Sequence, residues 1–178
     1  FFFQKNPSCI LPSGEAFPYP GRTSEVHYEV EMVVALSAGG KDLPVERALE
    51  AVYGYGVGLD MTRRDLQGEA KRMGRPWEVG KAFEFSAPCS EIVPAATIGH
   101  PDSGAIRLDV NGETRQTGDL AQMIWKVPEI VSTLSGLFTL APGDLIYTGT
   151  PAGVGAVQRG DLLHGGVEGL CEITIKVV

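Results

Sequence analysis

The chain has 178 residues, a formal charge of −7, 43% hydrophobic and 21% charged residues, the profile of one globular domain with room for a substantial core. An acidic balance without a Lys/Arg run excludes a nucleic-acid backbone as partner, because that binding depends on clustered cations. A small anionic substrate needs only a few local cations or a metal ion. No apolar stretch approaches the ~20 residues that span a bilayer, and the opening residues do not read as a signal peptide. Cys9, Cys89 and Cys171 are scattered and form no CxxC pair, so they read as reduced thiols of a cytoplasmic protein. Phe1-Phe2-Phe3 at the start, with no Met, would make a poor exposed terminus and suggests that residues upstream are missing.

Residues 7–24 are rich in Pro, Ser and Gly and read as an irregular loop. Residues 26–36 alternate and are rich in Val, which predicts a strand. Pro44 opens a predicted short helix over residues 44–52. Residues 53–61 carry Gly54, Gly56 and Gly58 at alternate positions, a strand closely approached by another backbone or a ligand. A polar helix follows over residues 62–73, stopped by Gly74 and Pro76. Residues 105–118 predict a hairpin turning on Asn111-Gly112, the dipeptide of a type I′ turn. Residues 128–138 form an amphipathic helix with Ile130, Leu134 and Leu137 on one face. Strands return at 144–147 and 171–178. The expected fold class is α+β and mostly β, curled mixed sheets with a few short helices; regular strand–helix alternation is absent, which excludes a doubly wound nucleotide-binding fold.

Glu29 and Glu31 lie two apart on the predicted strand and therefore share a face. Paired carboxylates repel unless a cation sits between them or one takes a proton; a solvated outer face is the alternative for an isolated ExE. The apolar run Val33-Val34-Ala35-Leu36 marks this strand as interior. Asp60 ends the glycine-rich strand just before the polar helix, a position equally suited to a helix cap or to a side chain aimed into a pocket. Three carboxylates without a Cys or His cluster make an all-oxygen site, suited to Mg²⁺, or to Mn²⁺ or Ca²⁺, rather than zinc.

Glu29-Val30-Glu31, then Leu59-Asp60-Met61-Thr62-Arg63-Arg64-Asp65-Leu66-Gln67, then Gly80-Lys81-Ala82-Phe83, then 143–151 with Thr148-Gly149-Thr150-Pro151 occur in that order. The ordered set closely resembles the fumarylacetoacetate hydrolase family over nearly the whole chain. The resemblance implies one catalytic domain over residues 1–178, usually a homodimer, acting on a small anionic oxo acid. It implies Glu29, Glu31 and Asp60 as ligands of a divalent metal, usually Mg²⁺. It implies Lys81, Arg64 and Gln67 as catalytic donors in the pocket, and Thr150 and Lys5 as substrate-binding residues. Arg64 and Gln67, three apart on a helix, share a face and could steady a developing oxyanion together with Lys81. Phe2-Phe3-Gln4-Lys5-Asn6-Pro7, Phe17-Pro18-Tyr19-Pro20 and Gly74-Arg75-Pro76-Trp77-Glu78 resemble the fumarylpyruvate hydrolase branch of bacterial aromatic degradation, which implies hydrolysis of an acylpyruvate.

The resemblance has one gap. Family hydrolases use a His paired with a Glu on a lid upstream of the region matched by Phe1–Lys5, and none of His27, His100 and His164 matches it. The lid is therefore expected upstream. His100 in a loop and His164 in a turn read as surface residues, and Trp77 and Trp125 as packing anchors. Arg159-Gly160-Asp161 reads as a β-turn, and the glycine-rich stretch 149–155 lacks the GK[ST] of a phosphate loop. Two other functional readings compete: an isomerase or decarboxylase of a related oxo acid on the same scaffold, and a non-catalytic metal-binding scaffold domain.

Overall fold

A computed structural model describes residues 2–178; Phe1 lies outside them. The architecture is the expected one, mostly short strands in curled mixed sheets with a few short helices. The stretch 7–24 departs from its loop expectation. It holds a 3₁₀ turn at Pro7–Cys9 and two strands, β1 (Ile10–Pro12) and β2 (Ala16–Phe17). Both lie at sheet edges, where a strand tolerates Pro, and each buries one apolar anchor, Leu11 and Phe17.

The Val-rich run forms β3 (Val26–Tyr28) and β4 (Val30–Leu36), broken at Glu29. The short helix expected over residues 44–52 is a 3₁₀ segment, Val45–Ala51. β5 (Val52–Leu59) then pairs antiparallel with β4, placing Glu31 opposite Gly58. The polar helix starts two residues later than expected. Thr62 and Arg63 are taken by a short strand, β6 (Thr62–Arg63), which pairs with His27 and Val26; α1 (Arg64–Arg72) begins only after it, and Gly74 follows in a left-handed conformation. A further turn, α2 (Glu78–Lys81), carries Lys81.

Next come β7 (Ala87–Cys89), β8 (Val93–Pro94) and α3 (Ala95–Ile98). The hairpin of β9 (Ala105–Val110) and β10 (Glu113–Asp119) turns as expected on Asn111 and Gly112, both with positive φ (53° and 83°). α4 (Val127–Leu137), β11 (Leu145–Tyr147), β12 (Gly155–Ala156), β13 (Leu162–Val167) and β14 (Cys171–Val177) complete the chain. His164 is not in a turn: it lies within β13, opposite Thr174 on one side and Asp109 on the other. Residues 158–161 do form a turn, closed by Asp161 N–H donating to Gln158 O at 3.1 Å. The three cysteines are free, and among the described residues no helix is long and apolar enough to cross a membrane.

One sheet runs β1-β7-β5-β4-β11 with β8 added on β5, a second runs β10-β9-β13-β14-β2, and a small third runs β12-β3-β6. The core fills the space between the first two: Val30, Met32 and Val34 of β4 belong to the same apolar cluster as Leu108, Leu163, Ile173 and Ile175. Full burial of one such side chain is worth about 1.5–3 kcal/mol. That alternation turns Glu31 and Val33 to the opposite face.

The alternate glycines of β5 answer to close approach, as their spacing predicts. A Cβ at Gly54 would lie 2.2 Å from Val93 O, and one at Gly58 would lie 2.4 Å from the Tyr147 ring and 2.7 Å from Val33. Gly58→Ala is therefore expected to destabilise by about 1–3 kcal/mol through overpacking, read as a lower urea midpoint; an unchanged midpoint would show that Tyr147 moves aside freely.

Candidate metal centre

The candidate metal centre is built by pairing the backbones of β4 and β5. Val30 lies opposite Leu59 and Glu31 opposite Gly58, and just beyond the ladder Asp60 N–H donates to Glu29 O at 2.8 Å. Glu29, in the break before β4, and Asp60, in the residue after β5, are thus locked side by side. One oxygen from each of Glu29, Glu31 and Asp60 falls within 4.8 Å of the others, and all three residues are buried. The solvated-face alternative for the ExE pair is excluded.

Buried carboxylates need compensation, and three cations supply it. Lys81, 2% exposed, donates to Glu29 Oε2 at 2.8 Å, Asp60 Oδ2 at 2.6 Å and Thr62 Oγ1 at 2.6 Å. The Phe3 ring covers the same ammonium at 5.0 Å. Arg64, in the first turn of α1, pairs through Nη2 with Glu29 Oε1 and through Nη1 with Gln67 Oε1 at 2.6 Å. Gln67 is buried, and its amide NH2 makes no bond to protein among the described residues, so it retains donors for an incoming group. Lys5 lies 2.8 Å from Asp60 Oδ1 and donates to Ser86 O at 2.6 Å and Ser86 Oγ at 3.0 Å. Burial lowers the Lys5 pKa against the pull of Asp60.

Among the described residues Glu31 has no cation of its own. Its Oε2 accepts from Gly149 N–H at 2.6 Å. Burial, with Asp60 and Glu29 close by, pushes its pKa up to about 8, against the opposing help of that N–H and of Lys81. The residues fit a hard divalent cation on three grounds: the donors are all oxygen, Asp60 Oδ1 meets Lys5 at 2.8 Å without a well-aligned hydrogen bond, and among the described residues Glu31 lacks a charge partner.

The linkage has a definite sign. The folded-state pKa of Glu31 lies above its ordinary 4.5, so its protonated form stabilises the metal-free fold at low pH and that contribution is lost as pH rises through about 8. A cation must displace this proton. The thermal shift produced by a fixed Mn²⁺ concentration should therefore grow from pH 6 to pH 8; a shift independent of pH across that range would contradict the assignment of Glu31.

Beside the carboxylates opens a cleft of about 550 Å³, lined among others by Phe2, Met32, Trp125, Gly149, Thr150 and Pro151. Gly149 joins the two, since its N–H holds Glu31. Phe2 and Phe3 are half-buried rather than exposed, with ring centroids 6.1 Å from Trp125 and 6.5 Å from Trp77. Trp125 is 44% exposed, so it lines the cleft more than it anchors a core. The histidines are engaged elsewhere: His27 with Glu25, His100 with Tyr55 and His164 with Thr174.

The fumarylacetoacetate hydrolase C-terminal family model matches residues 1–178. The chain belongs to the fumarylacetoacetate hydrolase family. It is 50% identical to a fumarylpyruvate hydrolase of Ralstonia sp over 177 residues, covering 99% of this chain and 92% of that protein. It is 41% identical to a mitochondrial oxaloacetate tautomerase of Rattus norvegicus over 175 residues, covering 98% and 79%. Its fold matches a crystal structure of Pseudomonas aeruginosa fumarylpyruvate hydrolase in complex with Mn²⁺ and pyruvate, with a TM-score of 0.97 and 52% identity over 100% of this chain and 78% of that one.

Of the residues singled out from sequence, Glu29, Glu31, Asp60, Lys81, Arg64, Gln67 and Lys5 form one connected cluster, while Thr150 lies in the adjoining cleft. Sequence reading missed Thr62 and Ser86, which seat the two lysines, and Gln116, which reaches both β4 and Thr150. Thr62 lies inside the quoted LDMT motif and was within reach; Ser86 carried no signal.

Proposed function

We propose that this chain is the metal-dependent core of an acylpyruvate hydrolase that splits fumarylpyruvate into fumarate and pyruvate. The observation that carries the reading is a buried carboxylate trio sharing its pocket with unspent hydrogen-bond donors; a structural cation site has no use for Gln67 or for the cleft. Water adds to the distal C4 carbonyl, the C3–C4 bond breaks, and its electron pair goes to C3 as the enolate of pyruvate, which then takes a proton. A divalent ion held by Glu29, Glu31 and Asp60 would supply Lewis acidity toward the adjacent carboxylate and oxo oxygens of the pyruvyl end. Arg64 and Gln67, fixed to each other on α1, aim donors at the oxyanion formed at C4. Lys81 contributes positive charge beside the developing enolate, and Thr150 donates to the acid end of the substrate.

Water attack also calls for a general base, and no histidine among the described residues touches the carboxylates. Mg²⁺ as the physiological ion, a homodimer, and a cytoplasmic role in aromatic degradation belong to the same proposal.

The 41% identity to an oxaloacetate tautomerase supports a second reading. Enolisation of an oxo acid, the reaction a tautomerase performs, needs proton transfer beside Lys81 but no attacking water. Product analysis separates the two: the first reading expects equal amounts of pyruvate and fumarate from fumarylpyruvate by the full-length protein. No fumarate, together with accelerated interconversion of the enol and keto forms of oxaloacetate, would overturn it in favour of the second.

A further inference from the structure

Gln116 on β10 is fully buried, and its amide touches two parts of the site at once. Its Oε1 accepts at 3.0 Å from the N–H of Val30, the residue between Glu29 and Glu31. Its Nε2 donates to Thr150 Oγ1 at 2.8 Å and to Pro151 O at 2.9 Å. These bonds decide which way the amide faces. Turned over, its NH2 would confront the Val30 N–H and its carbonyl would confront the Pro151 carbonyl, leaving buried groups unpaired.

An amide NH2 only donates, so Thr150 Oγ1 is the acceptor in that bond and the hydroxyl hydrogen is directed elsewhere. Among the described residues nothing accepts that hydrogen, and Thr150 lines the cleft next to Gly149, whose N–H holds Glu31. We propose that Gln116 is a positioning residue that keeps the Thr150 hydroxyl a donor toward the carboxylate of an oxo acid, and thereby selects anionic over neutral ligands. The proposal rests on the reading that this cleft takes an oxo acid. The tie to Val30 makes the orientation rigid, because it fixes the amide to the first residue of β4, between Glu29 and Glu31.

The test is calorimetric binding of pyruvate and of its neutral methyl ester to the Mn²⁺-loaded protein, in wild type, Gln116→Glu, Gln116→Met, Thr150→Val and the two double variants. Gln116→Glu presents an acceptor where the NH2 stood, captures the Thr150 hydrogen, and should weaken pyruvate about tenfold or more, the scale of a hydrogen bond to a charged group. The ester should be affected far less. With Thr150→Val already in place, neither Gln116 variant should weaken pyruvate further. Should Gln116→Glu not fold, Gln116→Met carries the same comparison, since it frees the hydroxyl to rotate. Equal losses for pyruvate and ester, or losses that persist with Thr150→Val, or no loss at all, would overturn the positioning role. A wild type that binds Mn²⁺ but not pyruvate would instead overturn the oxo-acid reading on which it rests.

Discussion

Replacing Lys81 by Met is expected to lower turnover of fumarylpyruvate about 10²–10³-fold, the usual cost of removing one preorganised charge-stabilising group. Affinity for the divalent ion should be maintained or should rise, because the ammonium and the ion are drawn to the same two carboxylates, Glu29 and Asp60. The opposite holds for metal-free stability. Lys81 is 2% exposed, and breaking a buried ion pair from one side typically costs about 3–5 kcal/mol. Denaturant unfolding of the metal-free variant should show that loss, and saturating Mn²⁺ should recover part of it. Near-normal turnover would remove Lys81 from the reaction; a collapse of Mn²⁺ affinity would show that the lysine organises the carboxylates rather than competing for them.

Asp60→Asn should have the other large effect. Asp60 faces both lysines, Lys5 at 2.8 Å and Lys81 at 2.6 Å, so the amide leaves the buried Lys81 and the half-buried Lys5 short of a counter-charge. Metal-free stability should fall by about 3–5 kcal/mol, and Mn²⁺ binding should be lost with it. Adding Lys5→Met removes one uncompensated charge and should restore part of the stability but none of the Mn²⁺ binding. If the double variant is no more stable than Asp60→Asn, charge imbalance is not the cause of the loss.

The carboxylate trio was legible in the sequence because each member has a local signature. Glu29 and Glu31 stand two apart against an apolar run, and Asp60 closes a strand. Sequence order alone did not say that Glu29 sits in a break between β3 and β4, or that the Asp60 N–H reaches across to its carbonyl. Lys81, Arg64 and Gln67 were singled out through the family's ordered motifs, and Lys81 had no other signal, since α2 has four residues, too few to show a helical pattern. β1 and β2 hid among Pro and Ser because edge strands need no long alternation, and β13, with His164-Gly165-Gly166 at its centre, lacks strand-like side chains.

Gln116 was hidden for a different reason. An unbroken hairpin from the Asn111-Gly112 turn would set Arg115 opposite inward-facing Leu108 and turn Gln116 to solvent. A register shift between Thr114 and Gln116 puts Gln116 opposite Leu108 instead, and a bulge of one residue exchanges the faces of everything beyond it. The most informative polar side chain outside the motifs was thus concealed by one extra residue in a strand.

The central claim, that Glu29, Glu31 and Asp60 hold the ion on which cleavage of an acylpyruvate depends, is tested most directly by following the absorbance of fumarylpyruvate with the full-length protein, first stripped of metal and then resupplied with Mg²⁺ or Mn²⁺. The expected result is no decay without the ion, decay on its return, and none in Asp60→Asn under either condition. Undiminished decay in the stripped wild type, or in Asp60→Asn, would contradict it.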